Sequence, residues 1–181
     1  MRPSTQQGFS LIETMVALSV LIVGVLGSAA VLSTGMQHLS SSPADVIVTQ
    51  KAAQAIEAVF AARDSHKLTW AQIRNVVGQS GNDGGIFVDG PKSLYTAGAD
   101  GLVNTLDDPT TIESMTLPGK DQVIGSADDQ TVTLSQYTRE ISIRDVANEN
   151  NMLRSVTVTI TYKNGPTQRT YTLVTFISSY S

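Results

Sequence analysis

The hydrophobic pattern divides the chain into an apolar beginning, a polar middle and an alternating end. Between Glu13 and Asp45 there is no Asp, Glu, Lys or Arg. About 20 apolar residues suffice to cross a bilayer, so residues 9–42 read as one apolar helix long enough to do so. Gly24, Gly27 and Gly35 would each weaken that helix in water by about 1 kcal/mol against Ala. In a packed bundle they would let helices approach closely. Ser42 and Pro43 predict a break, with Ser42 as N-cap and Pro43 at the first position of a second helix over 43–63. Val46, Ala53, Ile56 and Phe60 recur there near helical spacing, with Val59 beside them. Thr69 and Gln72 have the spacing of a capping box. They predict a short helix over 69–77 that ends at Gly78, with Trp70 as a core anchor.

Residues 78–130 are rich in Gly, Asp, Asn, Ser and Pro and read as loops. Ile86, Phe87 and Val88 predict one short strand within them. Alternation then returns in three segments, 131–146, 152–163 and 168–177. In the first, Tyr137, Ile141 and Ile143 alternate, with Arg139 set apart from them. In the second, Val156, Val158, Ile160 and Tyr162 share a face. In the third, Tyr171, Leu173 and Thr175 oppose Val174 and Phe176. Residues 148–151 predict one turn, and Lys163-Asn164-Gly165-Pro166 the next, Asn-Gly being the strongest short hairpin signal. The expected fold class is α+β, a long N-terminal helix packed on a C-terminal antiparallel β-meander with an acidic loop region. The expected organisation is a leader over 1–8, an apolar helix over 9–42 and a head over 43–181. Within the head, helices fall in 43–77, acidic loops in 78–130 and the meander in 131–178.

Composition narrows the chemistry. The 181 residues suit one domain of ordinary size beside a membrane helix. The net charge is −4, and no basic stripe argues for nucleic-acid binding. There is no cysteine, and there are two histidines, His38 and His66, so disulfides, thiol catalysis and zinc sites are not expected. No nucleophile elbow, phosphate-binding loop or paired-histidine spacing occurs. Asp107-Asp108 and Asp128-Asp129 have nothing beside them in the sequence to raise one pKa selectively, as acid–base work requires. No enzymatic activity is expected.

Glu13 is the anomaly of the apolar run. A carboxylate near a bilayer core costs roughly 2.5–3.5 kcal/mol even on the mild insertion scale, which makes it a functional-site hypothesis by default. Cleavage after Gly8 would leave the amine of Phe9 as a partner. Glu13 of one copy could pair with that amine on a neighbour, satisfying both charges and fixing axial register, while its negative charge suits the first helical turn. The segment GFSLIETMVALSVLIVGVLG resembles the N-terminus of type IV prepilins and related pseudopilins. The resemblance covers roughly the first 35 residues. It implies a dedicated prepilin peptidase that cuts after Gly8 and methylates the Phe9 amine, and a role for Glu13 in assembly. The stretch Ile22-Val23-Gly24-Val25-Leu26-Gly27 looks like the minor-pilin branch. The single basic leader residue, Arg2, and Thr14 after Glu13 depart from the usual pattern.

The second informative feature is a duplication. Gly98-Ala99-Asp100-Gly101-Leu102-Val103-Asn104-Thr105-Leu106-Asp107-Asp108 aligns without gaps, 21 residues on, with Gly119-Lys120-Asp121-Gln122-Val123-Ile124-Gly125-Ser126-Ala127-Asp128-Asp129. From Asp83 to Asp129 there are nine acidic residues against Lys92 and Lys120, a local charge near −7. Such density carries self-repulsion unless something offsets it. Calcium, which takes 6–8 oxygen ligands, would do so, with Asp100, Asp107, Asp108, Asp121, Asp128 and Asp129 as candidate ligands. The alternative is two Asp-rich turns whose carboxylates cap backbone amides.

Together these features predict a structural subunit, in a minor role, of a type IV pilus or pilus-like filament. Its partners would be the prepilin peptidase, other pilin or pseudopilin subunits and the inner membrane. It would sit in that membrane as a single-pass precursor with an exported head, then in a filament at the cell surface or in the periplasm. A pseudopilin of a type II secretion system would use the same precursor chemistry. A membrane-anchored calcium-dependent binding or adhesion module would not polymerise at all.

Overall fold

The computed structural model describes residues 10–164 and 167–180. Gly8 and Phe9 lie outside the described residues, as do Gly165 and Pro166 of the second predicted turn. The chain divides into two compact units, Met1–Ala44 and Asp45–Ser181.

A single helix, α1 (Leu11–Asp64), runs through both. The predicted break at Ser42 and Pro43 is therefore corrected, because helical backbone continues through Pro43. A proline in a helix interior removes one intrahelical bond and costs about 3 kcal/mol. Here three serines precede it, and turns packed in the head follow it. The apolar stripe of the second half is also rotated from the expected one. Val48, Ala52, Ala55, Val59 and Ala62 are buried with Ile47 and Ile56, whereas Val46 is exposed. The small residues Ala52, Ala55 and Ala62 on this face keep the helix close to what it covers.

In the head, the described residues form a four-stranded antiparallel sheet in the order β1-β4-β5-β6. Its strands are β1 (Lys92–Ser93), β4 (Tyr137–Asp145), β5 (Leu153–Asn164) and β6 (Thr167–Ser178). Strands β4, β5 and β6 make the expected meander, with Ile141 opposite Val158 and Val158 opposite Leu173. Ile141, Ile143, Val156, Val158, Ile160, Tyr162 and Ile177 are buried along one face. Val174 and Phe176 point the other way and are exposed. Asn148, Asn150 and Asn151 take positive φ in the first turn, a conformation Asn tolerates better than most residues. Tyr162 donates its hydroxyl proton to Asp45, and Arg63 donates to the Ser178 carbonyl at 3.1 Å, tying the second half of α1 to both ends of the meander.

Three local expectations fail for one physical reason, competition from distant hydrogen-bond partners. The segment 131–146 is two strands, because β3 (Gln130–Thr133) leaves the main sheet to pair with β2 (Ser114–Leu117) as a separate ribbon. Residues 86–88 form no strand. Phe87 makes isolated bridges to Asn75 and Thr105. The helix over 69–77 shrinks to a single 3-10 turn, Trp70–Gln72. Its carbonyls are already taken: Arg154 donates to Trp70 and to Ile73, Ile86 to Gln72, and Phe87 to Arg74. Trp70 is half-buried, lies under the Arg154 guanidinium at 4.0 Å and donates its Nε1 proton to Asn151.

Burial makes a direct prediction for the sheet. Ile160→Ala should lower the stability of the detergent-solubilised chain by about 2–5 kcal/mol in denaturant unfolding, since Ile160 is inaccessible to solvent. Val174→Ala, on the exposed face, should stay within about 0.5 kcal/mol. Equal losses at the two positions would contradict the assigned faces.

Candidate functional site

The two halves of the duplication adopt one hydrogen-bonding scheme. In the first loop Asp100 accepts from the Leu102 amide at 2.7 Å, and in the second Asp121 accepts from the Val123 amide at 2.9 Å. Asp107 accepts from the Asp100 amide at 3.1 Å, and Asp128 from the Lys120 amide at 2.7 Å. Asp108 accepts from Asn104 at 2.6 Å, and Asp129 from Gly125 at 2.6 Å. The Thr105 hydroxyl lies within hydrogen-bond distance of both Asp107 and Asp108, as the Ser126 hydroxyl does of Asp128 and Asp129. The glycine that opens each unit has a reason. A Cβ at Gly98 would sit 2.5 Å from the Asp107 carboxyl, and one at Gly119 would sit 2.2 Å from that of Asp128.

Electrostatics follow this geometry. The Thr105 hydroxyl and the Asp100 amide hold the Asp107 carboxyl below its ordinary range. The Ser126 hydroxyl does the same for Asp128, helped by the Lys120 amide. Asp108 is pushed up by burial, against the bonds from Thr105 and Asn104. Each of the six aspartates named as a candidate calcium ligand thus already accepts a backbone N–H bond. Among the described residues no three acidic or histidine side chains converge as a metal-ligand group. The amide bonds seen here match the Asp-rich turn alternative, and calcium on these aspartates stays an expectation that a binding measurement would test.

The first loop is anchored by a network that the sequence pattern did not reveal. Arg139 is 2% exposed. It donates from Nε to Asn104 Oδ1 at 2.8 Å, from Nη1 to Glu113 Oε1 at 2.9 Å and from Nη2 to the Tyr95 carbonyl at 3.2 Å. Lys51 Nζ lies 2.6 Å from Glu113 Oε2, bringing α1 into the same cluster. Asn104 Nδ2 donates back to the Arg139 carbonyl at 2.8 Å. The available signal was an arginine at core-facing period within an alternating strand, which demands a buried carboxylate elsewhere.

The N-terminal segment has the opposite character. From Ser10 to Ser33 every residue of the helical run is exposed, although nearly all are apolar. Leu11–Ser33, 23 residues, is long and apolar enough to cross a membrane. Its hydroxyls turn inward on the helix. Thr14 donates to the Leu11 carbonyl at 2.8 Å, Ser19 to Met15 at 2.8 Å and Ser28 to Gly24 at 2.9 Å. Such bonds satisfy these three hydroxyls within the helix, and they explain how Thr14 fits where an aliphatic residue is usual. Glu13 lies in the first turn, exposed.

The family model described as the Prokaryotic N-terminal methylation motif matches residues 3–29. The motif supports a protein of the type IV prepilin or pseudopilin type. The match spans Gly8, Phe9 and Glu13 and ends within α1, before the head. No curated protein and no solved structure matches the chain. A prepilin-type motif implies processing by a peptidase and assembly with other pilin-type subunits, and it points to a structural subunit. With the apolar helix, it points to membrane anchoring and a pilus-type filament.

The head should keep its melting temperature whether calcium or a chelator is present, if the loop carboxylates need no partner beyond the amides they accept from. Thermal unfolding of the solubilised chain followed by circular dichroism checks this. A clear upward shift with calcium would restore the aspartates as ligands.

Proposed function

We propose that this chain is a subunit, in a minor role, of a type IV pilus or pilus-like filament, cut after Gly8 and methylated at Phe9. As a precursor it is held in the inner membrane by the Leu11–Ser33 segment with its head exported. On assembly the same apolar surface passes from lipid to the helices of neighbouring subunits. Lipid and protein are about equally apolar, so close packing, aided by Gly24 and Gly27, and polar pairing must drive the transfer.

The observation that carries this reading is Glu13, the acidic side chain in the first turn of an otherwise apolar, exposed helix. Left alone in an apolar bundle it would be strongly disfavoured. Paired with the Phe9 amine of a neighbour it neutralises two charges and fixes the axial offset of one subunit against the next. The minor role is supported by the glycine-containing stretch 22–27. The peptidase that processes the leader and the other pilin-type subunits of the filament are the partners.

Glu13→Ala should leave the chain in the membrane and still processed, yet strongly reduce its recovery in sheared filaments. Glu13→Asp, which keeps the charge, should retain part of that recovery. Immunoblots of membrane and sheared fractions read both. Undiminished incorporation of Glu13→Ala would contradict the pairing.

A further inference from the structure

The two copies of the acidic repeat share a framework but not an environment. In the first, Leu102 is 2% exposed, and Val103 lines a cleft of about 470 Å³ in the head. In the second, the matching pair, Val123 and Ile124, is 59% and 67% exposed. The second copy sits at the far end of the β2–β3 ribbon, which pairs from Ser114 opposite Thr133 to Leu117 opposite Gln130 and has no other strand partner among the described residues. A lone two-stranded ribbon is marginally stable in water, and an apolar pair at its tip adds exposed surface with no cover in the chain.

The cleft has the complementary character. Ala55, Ala58, Ala97 and Ile112 supply apolar walls, with Lys51 and Arg139 beside Glu113. These three charged groups sum to +1, while the loop from Gly119 to Asp129 carries three aspartates and one lysine, a charge of −2. The head already holds one copy of the repeat at the edge of this cleft through Gly101 and Val103.

We propose that the ribbon tip of one copy seats Val123 and Ile124 in the Lys51-lined cleft of a second copy of this chain. The contact is heterologous, tip to cleft. Such a contact does not close on itself unless the rotation makes a ring, so it joins two copies of this chain where they lie side by side. The acidic rim meets the lysine side of the cleft and sets orientation, while the aliphatic pair leaves water. For its setting the inference rests on the filament reading.

The chain has no cysteine, so introduced thiols report contacts cleanly. Ile124 and the cleft residue Gln54 are both exposed. Full-length Ile124→Cys and Gln54→Cys copies, co-expressed and treated with a short thiol–thiol cross-linker in sheared filaments, should give a two-chain product that neither variant gives alone. The double variant should give the same two-chain product. Adding Val123→Asp should remove that product without shifting the melting temperature. Linking of Ile124→Cys alone, links only within one chain, or no link in filaments that contain the variants would each overturn the contact and leave the filament reading standing. Absence of the unsubstituted chain from sheared filaments would instead count against the filament reading.

Discussion

An exposed apolar helix surface governs this protein. From Leu11 to Ser33 the helix exposes aliphatic side chains around its whole circumference. Among the described residues nothing buries these side chains, and lipid or other copies would cover them. The hydroxyls bonded back to the helix and the lack of charge beyond Glu13 suit either cover. A carboxylate at the head of such a surface suits one cover better than the other, because a bundle can bring it an amine and a bilayer core cannot.

The head solves a different problem, that of holding long loops without a disulfide. Arg139 does much of this from the middle of the sheet. One guanidinium gathers Asn104 from the first acidic loop, Glu113 from the approach to the ribbon and the Tyr95 carbonyl, and Glu113 reaches Lys51 on α1. Removing one member of a buried ion pair leaves an uncompensated charge, which is far more costly than any single surface bridge. Asn75 does similar work where β1 stops short. It accepts from the Ile143 amide and donates to the Ile141 carbonyl, covering backbone that has no strand beside it. The acidic loops carry their own support, each aspartate accepting an amide of its own unit, so dense negative charge is offset locally by N–H dipoles.

What was legible in the sequence was local, and what was not depended on distant partners. The N-terminal segment could be read because its meaning lies in consecutive residues: Gly8, Phe9, Glu13 and a charge-free run. The meander could be read because alternation in β5 and β6 is a property of each strand. The helix after Thr69 could not, since Arg154, more than 80 residues away, takes its carbonyls. The split of 131–146 was hidden because β3 pairs backward with β2, not forward with β5. The duplication itself was plain, but its chemistry was not. A carboxylate accepts an amide proton and a cation through the same oxygens, so a run of Asp, Gly and Ser or Thr reads equally as turn or as ligand set.

The most direct measurement of the central claim is the intact mass of the chain isolated from native membranes and from sheared filaments. The account predicts a filament species that lacks Met1 through Gly8 and carries one added methyl group, with Phe9 as its first residue. A chain that keeps its leader in every fraction would contradict it, since Glu13 would then have no amine to meet and the apolar helix would serve as a fixed anchor.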